Sequence, residues 1–156
     1  NDGSVKKYHH LLIGNKSRLD TLQAAILSTK LTYLNRWNNL RGRHAKKFHL
    51  LLKNIPQIKL PQEADYSVHV YHLYVIQAKQ RDRLQNYLFS CGIDTVIHYP
   101  IPIHLQPAYK SLGYKKGDFP ITESLSKSIL SLPMFPELTD KEIKYVYQKI
   151  KDFYEI

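Results

Sequence analysis

LDTLQAAILSTKLTYLNRWNNLRGRHAKKFHLLL, running from Leu19 to Leu52, is the stretch on which the fold turns. Its apolar residues recur at helical spacing: Leu19, Leu22 and Ile26, then Leu27, Leu31 and Leu34. The series continues through Trp37, Arg41, Ala45, Phe48 and Leu52. No proline interrupts before Pro56, and only Gly42 weakens the run. The pattern predicts a helix of about 35 residues, or about 50 Å. That is longer than a small domain is wide, so such a helix bridges two bodies or spans an interface. Ser17 is a credible N-cap, and Asp20, three residues on, approximates a capping box. Before it, Asn1 to Gly14 shows no clear period and reads as an extended lead-in, with Gly14 free to turn.

Beyond the helix, Ile55 to Tyr66 carries two prolines and reads as a connector with a short strand at Ile58-Lys59-Leu60. Val68 to Ile76, VHVYHLYVI, is rich in β-branched and aromatic residues and predicts a strand. Both of its alternating sets hold apolar residues, which predicts that both faces are covered. Arg81 to Cys91 reads as an amphipathic helix with Leu84, Tyr87 and Leu88 inward and Gly92 as its stop. A second strand is expected at Asp94 to His98, and a short helix at Ala108 to Leu112. Glu123 to Leu130 reads as helical, and Leu132 to Pro136 as a constrained turn or edge strand. Thr139 caps a last helix, Asp140 to Tyr154, with Glu142 at its third position and Ile143, Val146, Tyr147, Ile150 and Phe153 on one face. The expected fold is therefore α+β: a lead-in and long bridging helix over 1–54, then a small antiparallel-sheet domain packed with helices over 55–156.

Composition narrows the function. A 156-residue chain with 43% hydrophobic and 23% charged residues can build a compact core. No run approaches the roughly 18 apolar residues of a membrane span, so no membrane partner is expected. The polar opening and the short Leu11-Leu12-Ile13 are read as no secretion signal. Cys91 stands alone, which excludes an internal disulfide and points to a reducing compartment, the cytoplasm by default. The net charge of +10 favours anionic partners. Its cations are scattered, however, which speaks against a dedicated nucleic-acid binder. A basic surface that meets phosphorylated small molecules fits better.

Signatures of catalysis are mostly missing. There is no Walker loop, no dinucleotide glycine fingerprint and no G-x-S-x-G. Eight histidines invite a metal reading, yet none forms H-E-x-x-H and Cys91 has no C-x-x-C partner, so no metal site is expected. Two stretches remain. Tyr99-Pro100-Ile101-Pro102-Ile103-His104-Leu105-Gln106-Pro107 is stiffened by its prolines and follows a strand end, where loops commonly bind ligands. His98, Tyr99 and His104 there suit hydrogen bonds to an anionic or hydroxyl-rich ligand, or else decorate a rigid corner. Gly14-Asn15-Lys16-Ser17-Arg18 opens a helix with free N–H groups and two cations. It suits a phosphate, or else is an ordinary capped start with surface cations.

The block Tyr8-His9-His10-Leu11-Leu12-Ile13-Gly14-Asn15-Lys16-Ser17-Arg18-Leu19-Asp20-Thr21-Leu22-Gln23-Ala24-Ala25-Ile26-Leu27 resembles the Y-x-H-x-x-x-G-x-N-S-R-L-D-x-x-Q-A-A-I-L block of the DegT/StrS-type sugar aminotransferases. Later blocks resemble the same family in the same order: Tyr71 to Ile76, Gly92 to Thr95, His98-Tyr99-Pro100 with Pro102 to Gln106, Leu112 to Tyr114, Gly117 to Pro120, and Leu130 to Met134. The resemblance implies the C-terminal portion of a fold-type-I pyridoxal-phosphate enzyme that acts as a homodimer. It also implies that the Schiff-base lysine lies upstream, so that no catalytic residue belongs to this chain. The implied reaction carries an amino group, usually from glutamate, to a keto group on a nucleotide-linked sugar, in deoxyaminosugar or cell-surface polysaccharide biosynthesis. The family asparagine that reaches the partner subunit's cofactor phosphate is Lys16 here, a cation that still suits a phosphate. Arg18 matches the family arginine near that site or near the substrate's carboxylate or phosphate. His104 resembles the histidine beside the bound sugar nucleotide, with Tyr99 nearby. Three other readings stay open on the sequence: a lysine-less dehydratase relative, a freestanding basic nucleic-acid-binding module, and a dimerisation fragment that binds nothing small.

Overall fold

The computed structural model describes residues 4–6, 9–10 and 19–155. The chain divides into two compact units, Asn1–Arg36 and Trp37–Ile156. The boundary at Arg36 and Trp37 thus falls within the stretch that the sequence reading took as one long bridging helix.

In the first unit, strand β1 (Ser4–Lys6) pairs antiparallel with β2 (His9–His10), in the stretch read from sequence as an extended lead-in. Helix α1 (Thr21–Leu31) follows, with Asp20 at its N-cap position and no side-chain cap bond. The expected Ser17 cap lies outside the described residues. The expected single helix is interrupted at Thr32 and Tyr33, and α2 (Leu34–Leu52) begins after them. The cause is local. Thr29 Oγ1 donates to the Ala25 carbonyl at 3.1 Å and Thr32 Oγ1 to that of Thr29 at 2.8 Å. Such hydroxyl back-bonding bends helices. The Tyr33 amide then closes a tighter turn on the Lys30 carbonyl at 3.1 Å.

The second unit is built on a three-stranded antiparallel sheet, β3 (Ile58–Lys59), β4 (Tyr74–Ala78) and β5 (Ile129–Leu132), in the order β3-β4-β5. Tyr74 faces Leu132, Ile76 faces Leu130, and Ile58 faces Ala78. On β4, Tyr74, Ile76 and Ala78 are buried, whereas Val75 and Gln77 are half-buried. One face is therefore core and the other only partly covered. Phe48 of α2 stacks on Tyr74 with ring centres 5.3 Å apart. Helices α3 (Arg81–Ser90) and α5 (Asp140–Phe153) pack together, and α3 also meets the sheet. Leu52, Leu84, Leu88, Leu130, Ile143 and Ile150 complete one core cluster. Full burial of each such side chain stabilises by about 1.5–3 kcal/mol.

Two expected strands are shortened. The one expected over Val68–Ile76 begins only at Tyr74. Tyr71 sits in the left-handed region at φ 50°, and the Tyr71 and His69 amides donate to His69 Nδ1 and Glu63 Oε1 at 2.8 and 2.6 Å. Those local bonds take the donors a ladder would need. Around Asp94 to His98 the pairing among the described residues is the single bridge of Val96 with Ser131. Leu130, read as the end of a helix, and Leu132, read as opening a constrained turn or edge strand, both lie in β5; helix α4 (Pro120–Ser128) ends first.

The helix ends behave as their sequences direct. Thr139 and Glu142 form a reciprocal capping box at the start of α5. Past α3, Gly92 adopts φ +76° and the Ile93 amide reaches back to the Leu88 carbonyl at 2.9 Å, the closure that a glycine permits. No described helix is long and apolar enough to cross a membrane.

Candidate functional site

The loop between the Val96 bridge and α4 carries the candidate site. His98 is tied to the sheet, its Nδ1 lying 2.9 Å from Ser131 Oγ. Pro102 is buried and leads into a 3-10 turn, Ile103–Leu105. A longer one follows at Pro107–Leu112, with proline in its first turn and Gly113 at φ +78° ending it. The chain then turns at 115–118, where Asp118 Oδ2 accepts from the Lys115 amide at 2.8 Å. Pro120 starts α4.

Every residue from Pro107 to Thr122 is exposed, so packing alone does not hold this stretch. Glu123, in the first turn of α4, ties it down. Its Oε1 accepts from the Gly117 amide at 2.7 Å and the Phe119 amide at 3.4 Å, and lies 3.0 Å from His104 Nε2. The His104 and Glu123 side chains are only 8% and 11% exposed. The Gly117 amide holds the Glu123 carboxyl below the usual carboxylate range, helped by His104 and Phe119 against an opposing push from burial. The carboxylate is therefore ionised and can only accept, so Nε2 of His104 is the donor.

These residues wall an open cleft of about 370 Å³ lined by Ile103, His104, Tyr109, Leu112, Tyr114 and Phe119. The rings form a chain: His104 to Phe119 at 4.7 Å, tilted, and Phe119 to Tyr114 at 5.1 Å, edge-on. An apolar cleft with an imidazole and tyrosine hydroxyls among its aromatic faces has the make-up of a small-molecule site. It can stack on a planar or sugar-like ring and hydrogen-bond its polar edge.

The sequence-predicted residues divide three ways. His104 lines this cleft. Tyr99 does not: it is 72% exposed and sits edge-on to His98 at 5.4 Å. Lys16 and Arg18 lie outside the described residues. Glu123 was read from sequence only as the start of a helix, because nothing in the pattern pairs it with a histidine 19 positions away. Its one legible sign is a carboxylate in the first turn of a helix, where the dipole favours it.

Among the described residues no group of His, Cys, Asp and Glu could hold a metal ion. No described lysine is buried either. The desolvated environment that activates a lysine for Schiff-base chemistry is absent from them, so they do not by themselves fit a covalently held carbonyl cofactor.

A family model described as DegT/DnrJ/EryC1/StrS aminotransferase matches residues 1–151. The chain belongs to this family. Among its relatives, the pleiotropic regulatory protein of Geobacillus stearothermophilus is 47% identical over 97% of this chain and 41% of its own length. The dTDP-3-amino-3,4,6-trideoxy-alpha-D-glucose transaminase of Streptomyces venezuelae is 38% identical over 99% of this chain and 41% of its own. The crystal structure of S. venezuelae DesV in complex with a ketimine intermediate superposes with a TM-score of 0.91 at 38% identity, covering all of this chain and 42% of that one. An aminotransferase of the same family from Brucella abortus gives 0.86 at 36% identity over 98% of this chain and 40% of its own. The chain thus spans about two-fifths of the length of these DegT-family relatives, and its α+β architecture is theirs.

Proposed function

We propose that this chain is the C-terminal part of a pyridoxal-phosphate-dependent aminotransferase that moves an amino group from L-glutamate to a nucleotide-linked keto-sugar, in deoxyaminosugar or cell-surface polysaccharide biosynthesis. The observation that carries the reading is the aromatic cleft beside the proline loop, with His104 in its wall, in a chain of the DegT family. A nucleotide-linked sugar presents a planar base, hydroxyl-rich rings and a diphosphate. The cleft offers rings for the first, and imidazole and phenol groups for the second. The chain's net charge of +10 favours the third.

The working enzyme in this reading is a cytoplasmic homodimer, with Lys16 and Arg18 directed to the partner's cofactor phosphate and His104 to the sugar nucleotide. Pyridoxal phosphate would supply the electron sink for amino transfer. The described residues carry no proton in that chemistry. They bind and orient, and the stiff proline loop lowers the entropy lost on binding.

The test is His104→Ala in the longer protein that carries this sequence. Loss of one well-placed hydrogen bond and a stacking face should weaken sugar-nucleotide binding about tenfold or more. Cofactor absorbance should stay unchanged. Unaltered substrate affinity would reject the cleft as the binding site.

A further inference from the structure

We infer that Glu123 is the positioning residue of this cleft: its carboxylate fixes the tautomer of His104 and clamps the 113–119 loop to the His104 turn, so that the cleft is formed before ligand arrives. The part of this that concerns ligand affinity rests on the nucleotide-sugar reading above; the part that concerns His104 does not.

Three donors from two separate stretches converge on one oxygen, Glu123 Oε1: His104 Nε2 from the 3-10 turn, and the Gly117 and Phe119 amides from the loop before α4. His104 and Glu123 bracket the exposed wall from Pro107 to Thr122, which has no buried side chain of its own, and Gly117 and Phe119 lie within it. Removing the acceptor would leave Gly117 and His104 seeking water and release both ends of the wall together.

The clamp is itself braced. The Glu123 amide donates to the Phe119 carbonyl at 3.0 Å, and the Glu123 carbonyl accepts from Ser126 Oγ at 2.9 Å. The Ser126 carbonyl accepts in turn from Arg81 Nη2 at 3.2 Å. Glu123 therefore stands on a rigid helix start linked to the sheet domain, as a group that orients another must.

The consequence for His104 follows from donor counting. An ionised carboxylate only accepts, so the neutral imidazole must carry its proton on Nε2. Nδ1 is left as an acceptor, and it has no hydrogen-bond partner among the described residues. A hydroxyl or an imide N–H of a ligand is the complementary group.

The experiment uses the longer protein with selectively ¹⁵N-labelled histidine, at a pH above the ordinary histidine range. Imidazole nitrogen shifts report the tautomer, and titration with dTDP or UDP reports affinity. Neutral His104 is expected to carry its proton on Nε2. That state should persist in Glu123→Gln, whose carboxamide oxygen still accepts, and should give way to a tautomer mixture in Glu123→Ala. Affinity should fall about tenfold in Glu123→Ala and return to within about threefold of the parent in Glu123→Gln. A wild-type proton on Nδ1, an unchanged tautomer in Glu123→Ala, or a Gln variant no better than the Ala variant would each overturn the inference. Should Glu123→Ala fail to fold, the wild-type tautomer and the Gln variant still decide it. If the tautomer follows Glu123 but wild-type protein binds neither nucleotide, the nucleotide-sugar reading fails while the positioning role stands.

Discussion

Replacing Arg81 with Met is the sharpest probe of how the sheet domain supports the cleft. Arg81 is 8% exposed at the start of α3. Its Nη1 donates to the Ile129 carbonyl at 2.9 Å and its Nη2 to that of Ser126 at 3.2 Å, joining α3 to the junction of α4 and β5. Its Nε pairs with Asp82 at 2.6 Å, but the Asp82 side chain is 79% exposed. An ion pair with so wet a partner contributes about 0–1 kcal/mol. Hydrogen bonds from a charged group contribute about 1.5–3 kcal/mol each, partly offset because Met no longer has to desolvate a guanidinium. Met also fills much of the stem's volume, so the cavity contribution stays small. The net loss should be about 3 kcal/mol, lowering the melting temperature by about 6–12 °C for a chain of this size. Urea and thermal unfolding followed by circular dichroism measure it, with Asp82→Asn as the control at under about 0.5 kcal/mol. A change under about 1 kcal/mol in Arg81→Met, or an equal loss in both variants, would refute the reasoning by placing the energy in the surface pair.

Tyr74→Phe should stabilise the protein by about 1 kcal/mol, because the buried hydroxyl has no hydrogen-bond partner among the described residues and an unpaired buried hydroxyl costs about 1–3 kcal/mol. Burial, with Tyr71 beside it, pushes the Tyr74 phenol well above its ordinary value. Above about pH 10 the unfolded chain therefore ionises there while the folded chain does not, and stability falls with pH. Urea titrations below and above that pH should show a shallower fall in the Phe variant; a steeper one, or a destabilised variant at neutral pH, would count against it. Thr139→Ala removes the hydroxyl that accepts from the Glu142 amide at 3.3 Å in the α5 capping box, and should cost about 1 kcal/mol in chemical denaturation. No measurable cost would show that α5 is held by its packed face alone.

What the sequence made legible follows physical type. Helices α3 and α5 could be read closely because an apolar face agrees with a stop in the one and a cap in the other: Leu84 and Leu88 with Gly92, and Ile143, Val146 and Ile150 with Thr139 and Glu142. Strands were harder. Val68 and Val70 have the right propensity, yet lie 90% and 48% exposed, because the left-handed Tyr71 and the side-chain acceptors of Glu63 and His69 divert the backbone. The start of β5 at Ile129 and Leu130 was hidden because a four-residue strand following a helix without a break extends its apolar pattern. The interruption at Thr32 was hidden because it depends on hydroxyls choosing carbonyls, which spacing does not reveal. In the site, His104 could be read from the stiff loop and the family block. Glu123 could not, since its role comes from a meeting of the His104 turn, the loop at 117–119 and the start of α4 in space.

The most direct test is a structure of the longer protein with a nucleotide-linked sugar bound. The account predicts that the ligand lies in the cleft, in contact with His104 and the Tyr114–Phe119 rings, with Glu123 still bonded to His104 Nε2. A ligand bound elsewhere while that cleft holds only solvent would contradict it.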